Sequence, residues 1–125
     1  MIILLILLLI CHYLADYCFT TSAMIRAKAD GRNPWPILLH SLIHAVLMGT
    51  CLILWGIGCN VVWLMFFIEL LSHFIVDTIK GRMMGKYSKM ADARLKAYWM
   101  LYGFDQLLHQ TVIIGIWYYV CFRLL

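Results

Sequence analysis

The sequence predicts an all-α integral membrane protein, a single four-helix bundle that occupies residues 1–125. Its composition is 65% hydrophobic and only 13% charged, with a mean hydropathy of +0.89, whereas soluble domains are closer to about one half apolar. One membrane crossing needs about 20 apolar residues, and four stretches approach that length, at residues 2–20, 37–58, 60–79 and 97–122. We therefore expect one transmembrane domain and no separate soluble domain.

Each stretch is predicted to form one helix. Residues 2–20 lack the basic start and the small cleavage-site residues of a signal peptide, so we expect them to remain as the first span. Asn33 is a favourable helix cap and Pro34 suits a first turn, which predicts the start of the second helix. Gly56 and Gly58 predict a tight turn into the third. The cysteines show no CxxC spacing and indicate small hydrophobic residues rather than a disulfide framework.

The basic residues predict the orientation. Nine of the ten lie in two segments, residues 26–32 and 80–96, which fall on the same side of a chain with four spans. The positive-inside rule places that side in the cytoplasm. We therefore expect a multi-pass protein of the bacterial inner membrane, with both termini outside.

Polar residues interrupt the apolar stretches in a regular way. A charged side chain at the centre of a membrane helix costs about 2.5 to 3.5 kcal/mol even on insertion scales, so these residues need compensation. Residues four apart share one face of a helix, and every polar residue concerned has a partner at that spacing. The pairs and the triplet are His12 and Asp16; His40 and His44; Glu69, His73 and Asp77; and Asp105 and His109.

The four polar faces are predicted to meet in the cytoplasmic half of the bundle and to bind metal. Four-helix bundles build metal sites from inward-facing side chains, and mixed imidazole and carboxylate ligands suit zinc above all, with manganese or iron as alternatives. Two other interpretations stay open: hydrogen bonding between helices or a proton path, and haem ligation.

The same motifs carry a resemblance to a known family. With its HxxxD, HxxxH, ExxxHxxxD and DxxxH helix motifs, the chain resembles a family of small bacterial and phage integral-membrane proteins that is grouped as a domain of unknown function. The resemblance covers nearly the whole chain. More distantly, the pairs are similar to those of membrane-bound metal-dependent hydrolases of bacterial inner membranes. Their spacing alone is similar to that of the zinc-dependent phospholipase C and single-strand nuclease group. The family of unknown function implies no activity, whereas the last two resemblances imply a metal-dependent hydrolase, and the last implies cleavage of a phosphoester.

The leading functional expectation is therefore a metal-dependent hydrolase acting at the cytoplasmic leaflet, on a lipid headgroup or a nucleotide. Glu69 and Asp77 are the candidate catalytic bases, and Lys80 and Arg82 are the candidate contacts for an anionic substrate. The expected metal ligands are His12, Asp16, His40, His44, His73, Asp105 and His109. We expect membrane lipids as partners and no specific nucleic acid. The sequence does not indicate how many copies of the chain associate. The alternative is a non-enzymatic membrane effector, such as a phage-encoded factor, or a bundle that binds an ion or a partner.

Overall fold

The computed structural model describes residues 1–123, and these residues form helices without any strand. The helices are α1 (Ile2–Tyr17), α2 (Ser22–Asp30), α3 (Pro34–Leu54), α4 (Cys59–Lys86), α5 (Ser88–Ala91) and α6 (Lys96–Arg123). The all-α prediction is therefore confirmed. Two short helices, α2 and α5, lie in segments that the sequence left as connections.

The boundaries of the long helices differ from the predicted ones for local reasons. Helix α3 begins at Pro34, because the Asn33 side chain accepts a hydrogen bond from the Trp35 amide at 3.2 Å. It ends at Leu54, and Gly56 then adopts a φ of 88° that glycine tolerates best. Helix α4 continues to Lys86, about two turns beyond the predicted end at residue 79, because hydropathy reports a membrane boundary and not the end of backbone hydrogen bonding.

The first predicted helix, residues 2–20, ends three residues early and is followed by a sharp bend. Helix α1 ends at Tyr17, where the amides of Cys18 and Phe19 both donate to the Leu14 carbonyl. Helix α2 then starts under the cap of Thr21, whose hydroxyl accepts from the Met24 amide. The direction of the chain changes by 93° between the two helices, so α2 runs at about a right angle to α1 and packs against α3 and α4.

Two of the described helices, α3 and α4, are long and apolar enough to cross a membrane. Helices α1 and α2 are long and apolar enough to cross a membrane only if the bent pair is counted as one span. Helix α6 is as long as α4 but does not belong to this set, and its polar residues include Asp105, Gln106, His109 and Gln110. The structure is therefore consistent with membrane insertion through α3 and α4.

The interior of the helix assembly is divided into two layers. Helix α1 packs against α3 and α6, and α4 packs against α3, α6 and α2. One layer is apolar, and the side chains that form it include Leu4, Leu8, Met48, Leu52, Met65, Ile113, Ile116 and Val120. The other, here called the polar layer, is formed by His12, Asp16, Lys28, His40, His44, Glu69, His73, Asp77, Lys80, Asp105 and His109. Buried residues in α4 recur every three or four positions through both layers, as one helix face requires.

Three glycines bring α2 close to α4. Gly31 ends α2 in the left-handed conformation, with a φ of 63°. A Cβ added at Gly81 would lie 2.9 Å from the Lys28 carbonyl oxygen, and one at Gly85 would lie 2.8 Å from the Asp30 carbonyl oxygen. Gly81 and Gly85, four residues apart on α4, thus let the backbones of α2 and α4 touch, as small residues do between membrane helices. This contact holds α2 against the polar layer.

Candidate metal centre

The structure brings together all nine polar side chains that the sequence placed on the four helix faces. Most are fully enclosed: His40 and Asp77 are 0% exposed, and His73 is 1% exposed. Large apolar side chains such as Trp35, Leu54 and Leu107 face outward instead. The polar layer thus lies inside an apolar surface, where each polar atom needs a partner or a ligand.

Ligand atoms in the polar layer form three groups, and the atoms within each group all lie within 4.8 Å of one another. The first group is His12, His44, Glu69 and His73; the second is Asp16, His40, His44 and His73; the third is His73, Asp77 and His109. A group of three or four such residues from different helices matches the ligand number of protein zinc sites. The predicted convergence of the helix faces is therefore observed.

His73 connects the three groups. Its Nδ1 atom lies 3.5 Å from Glu69 Oε1 and its Nε2 atom lies 3.5 Å from Asp77 Oδ2. A neutral imidazole coordinates through one nitrogen, and its second nitrogen faces the other carboxylate. The geometry therefore makes His73 the ligand on which all three groups depend.

Several buried atoms of the polar layer have no hydrogen-bond partner among the described residues. They include both ring nitrogens of His12, both ring nitrogens of His73, His44 Nδ1 and His109 Nε2. Four of these six nitrogens, those of His73 and the Nε2 atoms of His12 and His109, lie 3.4 to 3.5 Å from a carboxylate oxygen without forming a hydrogen bond. A buried polar group without a hydrogen bond costs roughly 1 to 3 kcal/mol. A cation bound through one nitrogen of each ring would offset part of this cost, which is the strongest structural argument for a metal at this position.

The carboxylates of the polar layer differ in their contacts. Asp105, predicted as a ligand, is outside the three ligand groups, and its Oδ2 atom accepts a hydrogen bond from Lys80 Nζ at 2.7 Å. Glu69 and Asp77, predicted as bases, each belong to a ligand group. Asp77 also lies beside both lysines of the polar layer, 3.1 Å from Lys28 Nζ and 3.4 Å from Lys80 Nζ.

Lys28 is the functional candidate that sequence reasoning missed, since it was interpreted only as a topology signal. Its Nζ atom lies 3.2 Å from Asp16 Oδ1, 3.1 Å from Asp77 Oδ2 and 3.0 Å from His40 Nε2. Glycines four apart, at residues 81 and 85, were the available sequence signal for the close contact that carries Lys28 inward. Thr20 was missed as well, and its hydroxyl lies 3.3 Å from His40 Nδ1.

A cavity of about 400 Å³ opens beside the polar layer. Its lining residues are Asp16, Tyr17, Thr20, Ile25, Lys28, Ala29, Lys80, Met84, Tyr98, Tyr102 and Gln106. Lys80 therefore lies at a cavity, as its predicted role requires. Arg82 is exposed and is not among the lining residues.

The close packing of the imidazole rings bears on the haem interpretation. The ring centroids of His44 and His73 are 3.7 Å apart, and those of His73 and His109 are 4.0 Å apart. A macrocycle needs open apolar space between opposed histidines, and these rings leave no such space between them. The polar layer suits individual ions.

Comparison with known proteins places the chain in a family defined by sequence. Residues 4–124 match the family described as "Protein of unknown function (DUF3307)", so the chain belongs to this family. The predicted membership of a domain of unknown function is thereby confirmed. No curated protein and no solved structure matches the chain.

Proposed function

We propose that this protein is an integral-membrane, metal-dependent hydrolase of a phosphoester. The observation that carries the proposal is the set of buried, unpaired imidazole nitrogens next to carboxylates and a cavity. A permanently structural metal site closes with four ligands, whereas the three ligand groups contain eight candidate ligands, enough for two ions.

The polar layer has the parts that phosphoester hydrolysis needs. Divalent ions, zinc first and manganese or iron next, would activate water at neutral pH and neutralise charge on a phosphoryl oxygen. Water would attack phosphorus, Asp77 Oδ1, the carboxylate oxygen that does not contact Lys28, would accept the proton of that water, and the bond from phosphorus to the alcohol oxygen would break. The departing oxygen then takes up a proton, so the products are an alcohol and a phosphate. Lys80 at the cavity would bind the anionic substrate.

Hydrolysis of a panel of phosphoesters tests this proposal directly. Protein purified in detergent and loaded with zinc should release phosphate or alcohol from at least one member of a panel of phospholipids, lipid phosphates and nucleotides. Chelator should stop the release, and restored zinc should recover it. Absence of any metal-dependent turnover by protein whose zinc content has been measured would refute the hydrolase proposal.

A non-enzymatic effector is the second candidate, and one observation favours it. Two ammonium groups, those of the half-buried Lys28 and the buried Lys80, already pair with three of the carboxylates in the polar layer. Such pairs stabilise assembly without any reaction. Elemental analysis separates the two candidates, because an effector held together by these pairs needs no stoichiometric transition metal.

The proposed setting is a four-helix bundle in the bacterial inner membrane, with both termini outside. Labelling of single cysteines tests this orientation. In a cysteine-free background, a restored Cys59, exposed at the start of α4, should react in intact cells with an impermeant thiol reagent. Lys89→Cys, exposed on α5, should react only after the cells are opened. The reverse labelling pattern would invert the proposed topology.

A further inference from the structure

The cavity beside the polar layer holds two positively charged side chains. Lys28 and Lys80 line it from α2 and α4, and Tyr17, Tyr98 and Tyr102 complete much of its wall. Its volume of about 400 Å³ lies in the range of small-molecule sites, about 300 to 1,000 Å³. The space therefore suits one headgroup and excludes a folded macromolecule.

Lys28 contacts the same atoms that the ligand groups need. Asp16 and His40 belong to one group and Asp77 to another, yet the Lys28 ammonium lies within 3.2 Å of an atom of each. A bound divalent ion would take over these atoms. The ammonium would then be left without its partners in a mostly enclosed position, which is costly unless a new anion comes within reach.

Formal charge indicates which anion fits. The four carboxylates and two lysines of the polar layer carry a formal charge of −2. Two divalent ions would change this value to +2, and a phosphomonoester dianion would neutralise it. A phosphodiester, with one negative charge, would leave a positive charge enclosed.

We propose that Lys28, with Lys80, binds the dianionic phosphate of a phosphomonoester in this cavity, and that Lys28 competes with the metal when substrate is absent. The inference rests on the proposed function and narrows its substrate class. If the inference is correct, bound metal increases the affinity for the phosphate dianion, and the dianion increases the affinity for the metal by the same factor. Removing the Lys28 charge should weaken that coupling.

Zinc affinity, measured with and without phenylphosphonate, tests the inference without relying on turnover. Phenylphosphonate is a non-hydrolysable dianion, and zinc affinity can be read by competition with a chromogenic chelator at pH 8. In the unsubstituted protein the phosphonate should tighten zinc binding by about tenfold. In Lys28→Met, zinc should bind more tightly than in the unsubstituted protein when phosphonate is absent, and the phosphonate effect should fall below about twofold.

The matched control is Arg26→Met, which removes an exposed charge from the same short helix and should keep the tenfold coupling. Diethyl phosphate, a monoanion, should not tighten zinc binding. Phosphatidic acid in the micelle and glycerol phosphate in solution distinguish a lipid headgroup from a soluble monoester. Tighter zinc binding in the presence of either one supports the inference.

The outcomes separate the two proposals. A protein that binds no zinc would contradict the proposed function itself. A protein that binds zinc with the same affinity in the presence and absence of phosphonate would overturn only the Lys28 inference. Full coupling in folded Lys28→Met would overturn it as well.

Discussion

His73→Ala is expected to lower the zinc affinity of the purified protein by roughly a hundredfold or more, since even residues that only orient metal ligands contribute about 10- to 100-fold. All three ligand groups include His73, and its two nitrogens face Glu69 and Asp77. Loss of this ring therefore removes one candidate ligand from each of the three groups. Zinc per protein, measured by elemental analysis after dialysis, reads the effect.

Two further variants make the His73 result interpretable. His12→Ala removes a ligand from one group only, so it should lose part of the zinc that His73→Ala loses. Asp92→Asn is a control outside the polar layer, where a hydrogen bond from the Arg94 guanidinium holds the pKa of the partly exposed Asp92 carboxyl below its usual value. Its zinc content should match that of the unsubstituted protein.

Folding has to be measured in parallel, because an emptied polar layer leaves buried carboxylates uncompensated. His73→Gln keeps a hydrogen-bonding side chain, and circular dichroism reports its helical content. If His73→Gln is helical and still carries the full zinc content, the metal centre is contradicted and hydrogen bonding between helices becomes the better explanation.

The composition of the polar layer could be predicted because it depends on local geometry. Residues four apart share a helix face whatever the tertiary structure, so His12 with Asp16 and Asp105 with His109 were constrained by spacing alone. The energetic cost of exposing such residues to lipid then favoured one shared interior. Their roles were not fixed in this way: Asp105 pairs with Lys80 at 2.7 Å instead of joining a ligand group.

The position of Lys28 could not be read from hydropathy or charge. Its approach to Asp16 and Asp77 depends on the 93° bend after α1 and on backbone contact between Gly31 and Gly81. These are tertiary features, and a lysine in a basic segment has the same sequence signature whether it faces solvent or turns inward. The end of α4 was predicted too early because the apolar stretch ends at residue 79, whereas the hydrogen-bonded helix continues to Lys86.

Asp77→Asn is expected to lower kcat for phosphoester hydrolysis by at least about a hundredfold, the lower end of the range for loss of general acid–base catalysis. Asp77 is fully buried, and both lysines that contact it line the cavity. The amide keeps the size of the side chain but cannot accept the proton of water. Glu69→Gln should also abolish hydrolysis, but Glu69 does not contact either lysine of the cavity among the ion pairs of the described residues.

Loss of metal and loss of the proton acceptor must be told apart in Asp77→Asn. Zinc content should be measured in the same preparation, because the group of His12, His44, Glu69 and His73 does not include Asp77 and should still retain an ion. Asp77→Glu restores a carboxylate and should recover part of the rate, whereas Asp92→Asn should leave it unchanged. If folded, zinc-containing Asp77→Asn turns over as fast as the unsubstituted protein, Asp77 is not the proton acceptor and the assignment of the catalytic base fails.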